Sequence, residues 1–139
     1  MSEPDVHYDS YTQGRAHLRN LLDAASEGRP ATLRRDRLRA AIVDAERLRA
    51  ALADMVTLRA QVVAEAGGWS VFVPGVPVAA DGATFDEAID EMVDALREYA
   101  RDWEERLRLA PNHDSAWPLV QFVALSDDEQ LRAWLVGDQ

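Results

Sequence analysis

From Ser10 to Met55 the sequence alternates so closely between helix signals and turn signals that it allows few folds. Ser10 ahead of Tyr11-Thr12-Gln13 is a helix start, because a Ser hydroxyl accepts from the third amide on while Gln reaches back to the cap. Tyr11, Leu18, Leu21, Leu22 and Ala25 recur at helical spacing, and Glu27-Gly28 before Pro30 ends the run, which predicts one helix over 11–26. Two short extended runs, 31–35 and 38–43, flank Asp36-Arg37 and predict a β-hairpin rich in arginine, Arg34-Arg35-Asp36-Arg37-Leu38-Arg39. Asp44 then caps a second helix with Leu48, Ala51, Leu52 and Met55 on one face, and 6–9 supplies a short edge strand.

Charge divides the chain. Residues 1–59 hold ten Arg against nine acids, a net of +1, whereas residues 60–139 hold five Arg against sixteen acids, a net of −11. The two parts suit partners of opposite sign. The expected boundaries are 1–58 and 59–139. With no Cys there is no thiolate nucleophile, disulfide framework or Cys-based zinc site. The first twenty residues carry no apolar run of the signal-peptide kind, and no segment reaches the ~20 apolar residues of a membrane span. A soluble cytoplasmic protein is expected.

The stretches Ser10-Tyr11-Thr12-Gln13-Gly14-Arg15-Ala16-His17-Leu18 and Leu33-Arg34-Arg35-Asp36-Arg37-Leu38-Arg39-Ala40-Ala41-Ile42-Val43-Asp44 resemble the Phd/YefM (prevent-host-death) antitoxins. Members run S-Y-x-x-x-R-x-x-L and then a T-R-x-x-R-x-x-A-V-L-like hairpin. The resemblance covers about a third of the chain and implies a β-α-β-β-α module that forms a homodimer and binds operator DNA. Carried over residue by residue, it points to Arg15 and Arg35, with Arg34 and Arg37 beside them. The hairpin Gly common in the family is absent. Independently of the family, an Arg-bearing hairpin and a helix amino terminus, doubled by a two-fold axis, suit phosphate oxygens, and Arg forks onto guanine edges. Charge alone favours the plainer reading, in which Arg34, Arg37 and Arg39 are the solvated face of an edge strand pair.

In the second part, 60–66 is open between helix and strand. Gly67-Gly68 followed by Trp69-Ser70-Val71-Phe72-Val73 favours a hairpin. Pro74-Gly75-Val76-Pro77 interrupts, Val78-Ala79-Ala80 is extended, and Thr84-Phe85-Asp86-Glu87 opens a helix that runs to about Leu107. Gly68 to Pro74 and Asp81-Gly82-Ala83-Thr84-Phe85-Asp86-Glu87-Ala88 parallel the G-G-Y-x-x-x-x-P and x-G-x-T-x-x-E-A of HicB antitoxins. That resemblance implies a small degenerate RNase H-like β-β-β-α domain that occludes an RNA-cleaving toxin. The expected class is therefore α+β, with two such modules and short helices at the carboxy end.

Within the long helix Glu87, Glu91, Asp94, Glu98, Asp102 and Glu105 fall in an arc of about 80° at ~100° per residue, opposite the apolar face of Phe85, Ala88, Ile89, Met92, Leu96, Tyr99, Trp103 and Leu107. Like charges four apart cost about 0.2–0.5 kcal/mol each, which a basic partner would relieve. Glu91, Asp94 and Glu98 are thus candidate toxin-binding residues. A plain solvated face is the alternative. After 110–113 the chain resumes over 115–125, and Ser126-Asp127-Asp128-Glu129 caps a last helix. Trp117, Phe122 and Trp134 either close the small domain or, in the case of Trp117 and Trp134, offer an apolar surface to the toxin.

His7, His17 and His113 are scattered, and the sequence holds no H-E-x-x-H, G-x-S-x-G, P-loop or G-x-G-x-x-G. Neither metal nor cofactor nor catalysis is expected. The reading is an antitoxin of a type II toxin–antitoxin pair that holds a basic toxin, binds its operator as a homodimer and represses its own operon. A solitary regulator with a ligand- or protein-sensing second domain is the rival.

Overall fold

The computed structural model describes residues 6–56, 60–74 and 76–137. The sequence-expected boundary near 58, and Gly75, fall outside them. The chain is α+β and divides into two compact units at Leu48/Arg49. Each has its own three-stranded sheet.

In unit 1, β1 (Val6–Tyr8) lies parallel to β2 (Ala31–Arg35), which pairs antiparallel with β3 (Leu38–Ala41). The crossover from β1 to β2 is helical, as a parallel connection requires. It is two helices, α1 (Tyr11–Ala16) and α2 (Leu18–Ser26), where the spacing predicts one. The break is at His17, whose φ of −120° and ψ of 31° leave the helical region. Its amide reaches both Gln13 O (3.1 Å) and Gly14 O (3.2 Å), its ring Nδ1 donates to Gln13 O (2.9 Å), and the ring stacks on Tyr8 at 4.8 Å. Gly14 lets α1 lie close to β2: a Cβ there would stand 3.0 Å from Leu33 Cδ1. Ser10 Oγ caps α1 by accepting from Gln13 N (3.1 Å).

The core of unit 1 is small. Leu21, Ala24 and Ala31 form it, with Val6, Tyr8, Leu33 and Ile42 packed against them. Tyr11, Leu18 and Leu22, which helical spacing places on the core face, are instead 54%, 50% and 53% exposed. The hairpin turns at Asp36-Arg37 as expected, with Arg35 opposite Leu38. Asp36 adopts φ +55°, so a short polar side chain that tolerates the left-handed region stands where a hairpin turn often has Gly. Asp44 Oδ1 accepts from Arg47 N (3.0 Å) at the start of α3 (Ala45–Met55). Arg47 Nη1 reaches back to Ala25 O and Ser26 O (3.2 Å each), satisfying carbonyls that the end of α2 leaves open.

Unit 2 is a meander, β4 (Gln61–Glu65), β5 (Gly68–Phe72) and β6 (Ala79–Gly82), followed by the long helix α4 (Phe85–Glu105). Residues 61–65 are strand because β5 supplies every cross-strand partner from Gln61–Phe72 to Glu65–Gly68. That register puts the turn at Ala66-Gly67, one residue earlier than the Gly-Gly pair suggests. Gly67 takes φ +85° there, and Gly68 begins β5. Gly82 allows the tightest approach in the unit, since a Cβ on it would stand 2.8 Å from Glu87 C and closer still to Ala88 N.

Thr84 Oγ1 accepts from Glu87 N (3.1 Å), and Glu87 Oε2 accepts from Ala83 N (3.1 Å), one residue ahead of the reciprocal pattern the sequence suggests. The helix ends at Glu105, two residues short of expectation, and a 3₁₀ turn covers Leu107–Leu109. Two further helices, α5 (Trp117–Leu125) and α6 (Asp128–Val136), close the unit, the latter opened by an Asp127–Gln130 capping box. The buried face of α4 (Ala88, Ile89, Met92, Val93, Leu96, Ala100) packs on β5, β6, α5 and α6, whose Val71, Phe122, Leu131 and Leu135 are buried as well.

Arg97 ties that layer together. Its guanidinium donates to Val123 O (2.6 Å), Ser126 O (2.8 Å) and Asp128 Oδ1 (2.9 Å), bridging the end of α5 to the start of α6. Arg132 pairs with Asp86 (3.5 Å) and Asp90 from the other side.

Candidate functional site

Two surfaces carry the residues singled out from the sequence. On unit 1, Arg34 stands directly opposite Arg39 across the hairpin, and Arg35 opposite Leu38. Because successive strand residues face opposite sides, Arg34 and Arg35 do not share a face. Arg35 lines a cleft of about 210 Å³ with Tyr11, Leu33, Leu38 and Ala40, on the side that α1 covers. Arg34 and Arg39 occupy the other side, where Arg34 Nε is 4.0 Å from Asp9 Oδ1. Asp9 is also bound by His7 Nε2 (2.8 Å), whose Nδ1 meets Thr32 Oγ1 (2.7 Å). Arg37 is exposed in the turn and Arg15 in the last turn of α1. Like charges directly opposed across a strand pair are destabilising, so Arg34 and Arg39 add nothing to the fold by facing each other. Arg39 joins Arg34 on this face through the hairpin register, which composition alone does not reveal.

On unit 2, Glu91, Asp94 and Glu98 are exposed on the solvent side of α4, and none makes an ion pair among the described residues. Their neighbours in the stripe differ. Glu87 is used in the cap, and Asp102 is gripped by Arg106 through two hydrogen bonds (2.8 and 2.9 Å), which hold its carboxyl below the usual range. Trp117 is 44% exposed at the start of α5. Trp134 is 5% exposed and packs edge-on against Phe122, ring centroids 5.1 Å apart, so nearly all of its surface is spent on the core. Elsewhere in unit 2, Tyr99 Oη lies 3.0 Å from His113 Nδ1 at a cleft of about 500 Å³, and Trp103 Nε1 donates to His113 O (2.7 Å). Burial raises the Tyr99 hydroxyl above its ordinary pKa. The described residues contain no group of His, Asp and Glu arranged to hold a metal ion, and no helix among them is long and apolar enough to cross a membrane.

The charged residues singled out from the sequence thus lie on α1 and an arginine-bearing hairpin in unit 1 and on the solvent side of α4 in unit 2. The comparisons give the class. The PHD-like family, described as antitoxin of toxin–antitoxin, RelE/RelB, TA system, matches residues 6–136. The chain belongs to that family, and its match runs through both units. A crystal structure of an antitoxin part of a putative toxin/antitoxin system from Syntrophomonas wolfei subsp. wolfei is similar in fold, with a TM-score of 0.76 and 21% identity over 91% of this chain and 94% of that one. No curated protein matches. Membership suggests a non-enzymatic regulatory protein with a cognate toxin as partner.

Proposed function

We propose that the two units divide the work of a type II antitoxin. Unit 2 neutralises a basic toxin, presenting Glu91, Asp94 and Glu98 with Trp117 beside the helix layer. Unit 1 forms a homodimer and binds operator DNA through Arg15, Arg34, Arg35 and Arg37, so that the protein represses its own operon. In this reading the amino-terminal unit is of Phd/YefM type and the carboxy-terminal one HicB-like. The observation that carries it is the three-carboxylate row on α4, exposed and unpaired among the described residues. Unpaired like charge on a helix is a cost to the free protein that a cationic surface removes, and it accelerates encounter with that surface. The half-exposed Tyr11, Leu18 and Leu22 support self-association of unit 1, because a core as small as Leu21, Ala24 and Ala31 gains from being covered.

The test is co-expression with the product of the neighbouring reading frame, scoring growth with the full chain and with Glu91, Asp94 and Glu98 reversed to Lys. Rescue by the first and its loss in the second is expected. Equal rescue by both would reduce the stripe to solvated surface. The DNA half is tested separately: Arg15→Ala or Arg35→Ala lowers operator affinity and flattens its salt dependence by about one unit of slope, with toxin neutralisation unchanged. The cleft beside Tyr99 and His113 is the observation that favours the rival, a regulator whose second unit senses a small molecule.

A further inference from the structure

The sheet of unit 2 ends in an open strand. β4 pairs with β5 along its whole length, and none of its residues makes a backbone hydrogen bond to a described residue outside that ladder. Alternate N–H and C=O groups of β4 therefore point away from β5 toward no strand among the described residues. Exposed edges in soluble proteins are normally blunted by Lys, Pro, a bulge or an inward charge. The five residues Gln-Val-Val-Ala-Glu have no Lys, Pro or bulge, carry their one charge, Glu65, at the end beside the turn, and keep unbroken register from Gln61 to Glu65. Side chains on the face away from buried Val71 continue the theme: Val63 is 42% and Phe72 37% exposed, with Glu65 at the end of β4 and Asp81 across the sheet, held by Ser70 Oγ at 2.6 Å.

We propose that β4 is a docking edge that accepts an extended strand from a basic protein, placing an apolar side chain beside Val63 and a Lys or Arg two residues along beside Glu65. The main chain supplies the affinity and the alternating side chains the register. Charge selects the occupant. A second copy would bring another stretch of sixteen acids against five Arg to the edge, whereas a cationic strand is drawn to it. The inference rests on the antitoxin reading in one respect, that the basic protein is the toxin.

Hydrogen exchange of the full chain, with and without the purified product of the neighbouring reading frame, tests it. On binding, alternate amides of 61–65 become protected, and Val63→Lys, at an already exposed site, weakens binding by about tenfold or more. If the partner binds and leaves β4 exchange and V63K affinity unchanged, strand addition is overturned and the antitoxin reading stands. Protection that rises with the concentration of this chain alone assigns the edge to a second copy and also overturns the proposal. No binding at all overturns both.

Discussion

Unit 1 and unit 2 bury their apolar side chains to very different degrees. Unit 2 encloses Phe122, Ile89, Met92, Leu96, Leu131 and Leu135 almost completely, while unit 1 encloses one large side chain, Leu21, and leaves Tyr11, Leu18, Leu22 and Leu38 half in water. Helix α4 gives unit 2 a long apolar stripe that covers its sheet, and α5 and α6 cover the helix in turn. The crossover of unit 1 is broken at His17, so its two short helices present less continuous surface to β1 and β2. A self-sufficient core tolerates a functional surface of pure charge. A small core calls for completion from outside.

The contrast can be broken most severely from inside unit 2. Phe122→Ala removes a ring with no exposure and is expected to cost about 3–5 kcal/mol, read from urea unfolding. A loss below about 1 kcal/mol would mean that the enclosure is looser than the packing implies. Gly82→Ala comes next: its Cβ meets the backbone of Glu87 and Ala88, which cannot swing aside, and a loss of about 1–3 kcal/mol is expected. Val71 and Val73, both buried, provide the comparison when trimmed to Ala.

Unit 1 is tested by concentration. If a second copy covers Leu18 and Leu22, a tenfold rise in chain concentration adds about 1.4 kcal/mol per dimer, and Leu22→Lys abolishes the dependence. A melting temperature independent of concentration would leave unit 1 stable by itself and erase the contrast. The smallest effect is expected at Asp102. Its pKa in the folded state is depressed by Arg106, so the favourable pairing is present above the unfolded carboxylate pKa and is lost as pH falls through the lower folded value. Carboxyl NMR titration should show Asp102 ionised to lower pH than an ordinary aspartate, and Arg106→Ala should return it. A titration unchanged by Arg106→Ala would remove the pairing as the cause.

Much of this architecture is legible in local chemistry. Ser10, Asp44, Thr84 and Asp127 each cap a helix by accepting from an amide three residues on, a signal that depends on few neighbours. The turns at Asp36-Arg37 and Ala66-Gly67 fall within a residue of where their composition puts them. Long-range packing is what the sequence conceals. Gly14 reads as a tolerated residue in a helix until Leu33 is found against it, and Trp134, open between core and surface in the sequence, is placed against Phe122 only by the packing. Residues 61–65 become a strand only through β5, as an isolated Gln-Val-Val-Ala-Glu has no decisive preference. For the candidate site, composition identifies the arginines and carboxylates, but the alternation that separates Arg34 from Arg35 and joins Arg34 to Arg39 depends on pairing register.

The fork of Arg97 bears on how unit 2 tolerates sequence change at the corner between α5 and α6. Two of its three acceptors, Val123 O and Ser126 O, are peptide carbonyls, which every residue type supplies. Replacing Asp128 would therefore remove one strut of three, and no side-chain substitution at 123 or 126 deletes the other two acceptors. The corner thus depends on a single side chain, that of Arg97, and little on the identity of the residues it grips.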